Sequence, residues 1–146
     1  MTIDVMRCLL VKEREVTYAE ENIDSPDRIY DLCKTLGMDK AADEYIYVFC
    51  LNAKRDIVGI HEVSHGELCS AIVSPREIFK RALLNNSYGI VVAHNHPSGD
   101  PTPSDEDIKA TERLKNAGDV LGIKLFDHIV VGDGRYESMM MLNYIK

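Results

Sequence analysis

Residues 88–107 read YGIVVAHNHPSGDPTPSDED. Tyr88–Ala93 is a short β-rich apolar run, and it leads into His94 and His96, separated by one residue. A connection rich in proline and glycine follows. Ser104-x-x-Asp107 then opens a helical stretch, with Asp105, Glu106 and Asp107 in the first turn, where the macrodipole favours negative charge. The order is therefore strand, loop, helix. Residues two apart on a strand point to the same side, so His94 and His96 can grip one ion. The connection is long enough to fold back and bring Asp107 alongside as a third ligand. Taken alone, Ser104-x-x-Asp107 is an acceptable capping box and Pro-Ser-Gly-Asp-Pro an ordinary turn. Neither explains the paired histidines at the end of a strand. Two imidazoles and a carboxylate leave the fourth zinc position to water, the arrangement of catalytic zinc, and water so bound has its pKa lowered to about 7.

The flanking segments supply a frame for that stretch. Ser25-Pro26 gives a helix N-cap and a first-position proline, Ile29, Leu32, Cys33 and Leu36 follow at helical spacing, and Gly37 ends the helix. After the polar link MDKAADE, Tyr45–Leu51 is a continuous apolar run typical of a buried strand. Asn52–Arg55 reads as a turn, and Asp56–His65 as a second strand completing a hairpin. Ser74-Pro75-Arg76-Glu77 combines a cap, a proline and a capping-box glutamate, ahead of a helix that buries Ile78, Phe79, Ala82 and Leu83. The helix from Ser104 buries Ile108, Leu114, Ala117 and Leu121 and stops at Gly122. Ile123–Val131 is a strand, Gly132–Gly134 a turn, and the tail from Tyr136 is Met-rich. Residues 3–18 read as one extended segment, or two joined near Lys12–Arg14, so 1–39 gives an N-terminal strand and a helix. Strands and helices alternate through the second half. The class is α/β, a mixed β-sheet flanked by helices, in a single domain over 1–146.

Bulk properties narrow the function. A 45% hydrophobic and 28% charged composition is that of a soluble globular domain. Seventeen Lys and Arg against 24 Asp and Glu give a net charge of −7, which argues against broad binding to a phosphate backbone. Neither a membrane span nor a signal peptide is visible, and the cytosol is the default compartment. Cys8, Cys33, Cys50 and Cys69 sit among apolar neighbours and read as buried free thiols.

A second zinc motif competes with the first. His61-Glu62-Val63-Ser64-His65 matches H-E-x-x-H, which binds zinc only on a helix, where positions i and i+4 share a face. Its neighbours Ile57, Val58, Gly59, Ile60 and Val63 favour a strand. There the two histidines stand about four steps of ~3.3 Å apart, too far for one ion. The further ligands such enzymes use are missing, with Ala71 and Asn85 at the positions in question.

The constellation His94-x-His96, seven residues, Ser104-x-x-Asp107 resembles the JAMM (MPN+) metalloprotease domain, and more closely its RadC group. AHNHPSGDPTPSDED at 93–107, SPREIFKRAL at 74–83 and LGIKLFDHIVVG at 121–132 extend the resemblance, which is strongest over 40–138. It implies a fold related to cytidine deaminases and one Zn2+ held by His94, His96 and Asp107. It further implies a serine, here Ser104, that donates to the developing oxyanion, and a distant glutamate that carries the proton. Glu44, just before the first apolar strand, fits that glutamate, with Glu62 and Glu67 as rivals. His128 also matches the RadC pattern, and a supporting or packing role suits it better than a fourth ligand, which would close the site. The resemblance thus implies hydrolysis of a peptide or isopeptide bond in a protein or peptide substrate. The alternative is a DNA-repair accessory acting through nucleic acid or partner proteins. Against it stand the charge and the first forty residues, which do not resemble the helix-hairpin-helix region many RadC proteins carry. Self-association stays open.

Overall fold

The structure, a computed structural model, describes residues 1–18, 22–66 and 74–146. Helix α1 spans Pro26–Thr35 and is followed by a single 3-10 turn at Met38–Lys40. Strands β1, Glu44–Leu51, and β2, Ile57–Gly66, form the expected hairpin. Helix α2, Pro75–Leu84, precedes β3, Gly89–Asn95; helix α3, Asp105–Leu121, precedes β4, Lys124–Val131; and β5, Tyr136–Ser138, closes the order. The sheet runs β2-β1-β3-β4-β5. Only β3 and β4 are parallel, and α3 is the crossover that parallel neighbours need. The mixed α/β architecture read from the sequence is therefore the one observed.

Alternation along the strands sorts side chains onto two faces. Ile46, Val48, Cys50, Ile90 and Val92 pack with Ile78, Phe79 and Ala82 of α2 and with Ala110 and Leu114 of α3. Tyr47, Phe49, Leu51, Val91, Ala93, Ile129 and Val131 pack with Ile29, Leu32 and Cys33 of α1. With helices on both sides, β3 is buried along its whole length, which is why it reads as an unbroken apolar run. His94 continues the face of Ile90 and Val92, and so points toward α3.

Several expectations need correction. Residues 1–18 form no strand; Ile3, Val5, Met6, Leu9 and Val11 are exposed, as is Cys8. Alternating apolar residues make a strand only when a partner supplies the ladder, and this segment instead skirts the open edge of β2, where Leu10, Val16 and Tyr18 help line a cavity of about 790 Å3. Leu83 and Leu121 keep helical phase but lie at helix ends beyond the sheet, and both are exposed. Ser74 caps α2 by position, with no side-chain hydrogen bond, and the Glu77 carboxylate pairs with Arg81 and Lys80. Cys33 and Cys50 are buried free thiols as expected, with burial pushing both pKa values up. Glu67, Cys69 and Ala71 lie outside the described residues. Among the described residues, no helix is long and apolar enough to cross a membrane.

Candidate metal centre

The end of β3 and the start of α3 meet at one point. His94 Nε2 lies 3.1 Å from His96 Nε2 and 3.2 Å from Asp107 Oδ1, and His96 Nε2 lies 3.1 Å from Asp107 Oδ2. Zinc bonded tetrahedrally at 2.0–2.1 Å needs donors about 3.3 Å apart. The three side chains come within a few tenths of an ångström of that spacing. They are also the one group among the described residues whose nitrogen, sulfur or carboxylate atoms converge closely enough to share an ion. The donor set, two imidazoles and one carboxylate, fits catalytic zinc.

Local structure explains why they converge. His96 extends past β3, its N–H bonded to the Val131 carbonyl at 2.9 Å, so β4 steers the chain out of the sheet. Gly99, at φ 89°, then turns the loop so that the Asp100 carbonyl accepts from His96 Nδ1 at 2.8 Å. That bond fixes the ring so that Nε2 faces Asp107. Asp107 is held by a full capping box: its Oδ2 accepts from Ser104 N–H at 2.8 Å, while Ser104 Oγ accepts from Asp107 N–H at 3.1 Å. The cap uses a lone pair of the Ser104 hydroxyl, and its O–H stays available to donate.

Electrostatics follow the geometry. Burial on its own would raise the Asp107 carboxyl, but hydrogen bonds from His94 and His96 outweigh it and hold the group well below the usual carboxylate range. His96 is raised, first by its hydrogen bond to Asp107, against the effect of burial, and further by the Asp100 carbonyl and the Glu44 charge. Behind His94, and fully buried, stands His128, with its Nε2 2.7 Å from His94 Nδ1 and its Nδ1 2.7 Å from Thr111 Oγ1. Burial, then the neighbouring His94, push His128 well below its ordinary value. Asp127 points to the opposite face, where it accepts from Ser138 Oγ at 2.6 Å and Met140 N–H at 3.0 Å.

The two described candidate glutamates separate by face. Ile46 pairs with His94 across β1 and β3, so Glu44, two residues earlier, lies on the same face and one step nearer His96. Glu62 pairs with Tyr47, receives a long 3.4 Å hydrogen bond from its hydroxyl, and so belongs to the α1 face. His61 sits on the β2 strand with its Nε2 against Asn85 Oδ1, so the H-E-x-x-H motif lies on a strand and not on the helix it needs to bind zinc.

Two buried polar residues were missed in the sequence. Asn95, between the histidines, turns to the other face of β3, where its Oδ1 accepts from Tyr45 N–H and its Nδ2 donates to the Asp43 carbonyl. It ties down the backbone on both sides of Glu44. Thr111 sits four residues after Asp107, one helical turn along the same face. That spacing was a readable signal; the partners were not.

A family model described as the RadC-like JAB domain matches residues 23–144. The chain is 42% identical over 133 residues to a UPF0758 protein of Methanosarcina mazei, covering 89% of this chain and 58% of that one. A UPF0758 protein of Caldanaerobacter subterraneus is 43% identical over 123 residues, 84% of this chain and 52% of its own length. One from Clostridium novyi is 50% identical over 103 residues, 70% of this chain and 45% of its own. The chain belongs to the RadC-like JAB domain family, and it spans about half the length of the curated relatives it matches.

Proposed function

We propose that this chain is a zinc-dependent hydrolase that cleaves a peptide or isopeptide bond in a protein or peptide substrate. The observation that carries the reading is the convergence of His94, His96 and Asp107 at zinc-ligand spacing, with Glu44 on the same face of the sheet. Zinc held by these three residues supplies a Lewis acid and a water whose pKa falls to about 7. The chain's own residues do the rest. Glu44 takes a proton from the attacking water and delivers it to the departing amine nitrogen. The Ser104 hydroxyl, with its oxygen already fixed by the helix cap, donates to the carbonyl oxygen as negative charge gathers there. Asp107, kept ionised by its two histidine partners, offsets the ion's charge. The free thiols at Cys33 and Cys50 suit a reducing compartment, and we place the reaction in the cytosol.

The test is to incubate zinc-loaded protein with peptide and isopeptide-linked substrates and to follow new amines by mass spectrometry. Cleavage that ends on chelation and in Glu44→Gln supports the reading. Cleavage that survives both would contradict it.

A further inference from the structure

The contacts behind His94 carry an inference about which of its nitrogens bears the proton. Thr111 Oγ1 lies 2.8 Å from the Asp107 carbonyl and 2.7 Å from His128 Nδ1, and His128 Nε2 lies 2.7 Å from His94 Nδ1. Thr111, His128 and His94 are all fully buried, so water does not substitute for a missing partner.

A threonine hydroxyl has one hydrogen, and a carbonyl oxygen can only accept. When that hydrogen goes to the Asp107 carbonyl, the Thr111 oxygen accepts from His128 Nδ1–H. His128 then offers a lone pair at Nε2, and His94 donates to it from Nδ1. The remaining His94 nitrogen, Nε2, is bare, and it is the atom that faces His96 and Asp107. The opposite register runs from Thr111 to His128 Nδ1, from His128 Nε2–H to His94 Nδ1, and from His94 Nε2–H to Asp107. It gives up the Asp107 carbonyl contact for a His94–Asp107 hydrogen bond and blocks the ligand atom, so it suits the metal-free site and the first register the metal-bound one. Both registers hold three hydrogens, one per residue, so passing between them releases no proton.

We propose that Thr111, through His128, is a positioning residue that holds His94 protonated at Nδ1 with its Nε2 lone pair turned to the metal. The relay also joins the two elements that form the site, because Thr111 bonds the backbone of one ligand, Asp107, and reaches the ring of another, His94. The inference rests on His94 being a metal ligand, as proposed above. Its test needs no substrate.

Zinc alone is the probe, with affinity measured by competition against a chromogenic chelator and folding checked by thermal unfolding. Thr111→Val keeps the shape and removes the hydroxyl; Thr111→Ser keeps the hydroxyl and removes a methyl group. The expected result is zinc binding weakened about tenfold to a hundredfold in Thr111→Val, and wild-type affinity in Thr111→Ser. A packing role gives the reverse order, because serine leaves a gap that valine fills. Equal affinity in wild type and Thr111→Val, or weaker binding in Thr111→Ser than in Thr111→Val, overturns the relay. Long-range 1H–15N spectra of zinc-loaded wild type should show His94 and His128 both protonated at Nδ1, and a proton on His128 Nε2 overturns the relay even where a variant fails to fold. His94→Ala, measured in parallel, separates the two layers. If it binds zinc as tightly as wild type, the metal site falls; if it loses zinc while Thr111→Val does not, only the relay falls.

Discussion

Asn95 accepts a hydrogen bond from the Tyr45 N–H at 2.7 Å, and its amide nitrogen donates to the Asp43 carbonyl at 3.0 Å. The residue between His94 and His96 therefore clasps the backbone on either side of Glu44. Asn95→Ala removes both bonds and frees the start of β1, while leaving the three ligand side chains in place. A displacement of about 1 Å in a reacting group costs on the order of 100-fold in rate. We expect zinc content to persist and turnover to fall about 10- to 100-fold, measured by metal analysis and kinetics on the same sample.

Glu44 and Glu62 make opposite expectations because they sit on opposite faces of the sheet. Glu44→Gln should retain zinc and lose hydrolysis by about 10²- to 10⁴-fold, the usual contribution of a positioned acid–base group. Glu62→Gln should leave turnover near wild type. Equal loss in both would point to damage in the hairpin instead of the loss of a proton carrier.

Gly132, after β4, touches the loop that joins the histidines to α3. A Cβ there would press on the Gly99 carbonyl and stand 2.7 Å from Pro101 Cδ and 3.0 Å from Pro101 N. Backbone has to move to admit it, and overpacking of this kind costs about 1–3 kcal/mol. Gly132→Ala should lower stability by that amount in denaturant unfolding. It should also weaken zinc binding, because the displaced loop carries the Asp100 carbonyl that orients His96.

Chelated protein should show a pH-dependent stability of definite sign. The hydrogen bond to Asp107 raises His96 above its ordinary value near 6.5. A raised folded pKa contributes stability that is fully present below the unfolded value and is lost as pH rises through the folded one. The lowered Asp107 carboxyl contributes stability that is present above its ordinary value near 3.8 and is lost as pH falls through its folded one. Thermal unfolding against pH should therefore show this contribution fully present between about pH 4 and pH 6.5 and fading on either side. Asp107→Asn should flatten that dependence. Zinc competes with the proton on His96, so its stabilising effect should grow as the pH rises.

Much of this was legible because its signals are local. Ser25-Pro26, Ser74-Pro75 and Ser104 mark three helix starts by chemistry contained in a few residues, and the unbroken apolar run of β3 announces a strand covered on both faces. His94, His96 and Asp107 lie within 14 residues, and their convergence follows from strand and helix geometry. The unread parts depend on distant partners. Residues 3–18 alternate as a strand does, yet no neighbour supplies the ladder. Asn95 meets Asp43 across 52 residues, and His94 meets His128 across 34, separations at which periodicity carries no information. Leu83 and Leu121 keep helical phase, and only the extent of the sheet leaves them uncovered.

The central claim is that His94, His96 and Asp107 hold one zinc ion. Metal content per chain, measured by elemental analysis after zinc loading and dialysis, tests it most directly when wild type is compared with His94→Ala at matched folded fraction. The account expects close to one zinc per wild-type chain and next to none in His94→Ala. Wild-type protein that takes up no zinc, or a variant that keeps as much as wild type, would contradict it.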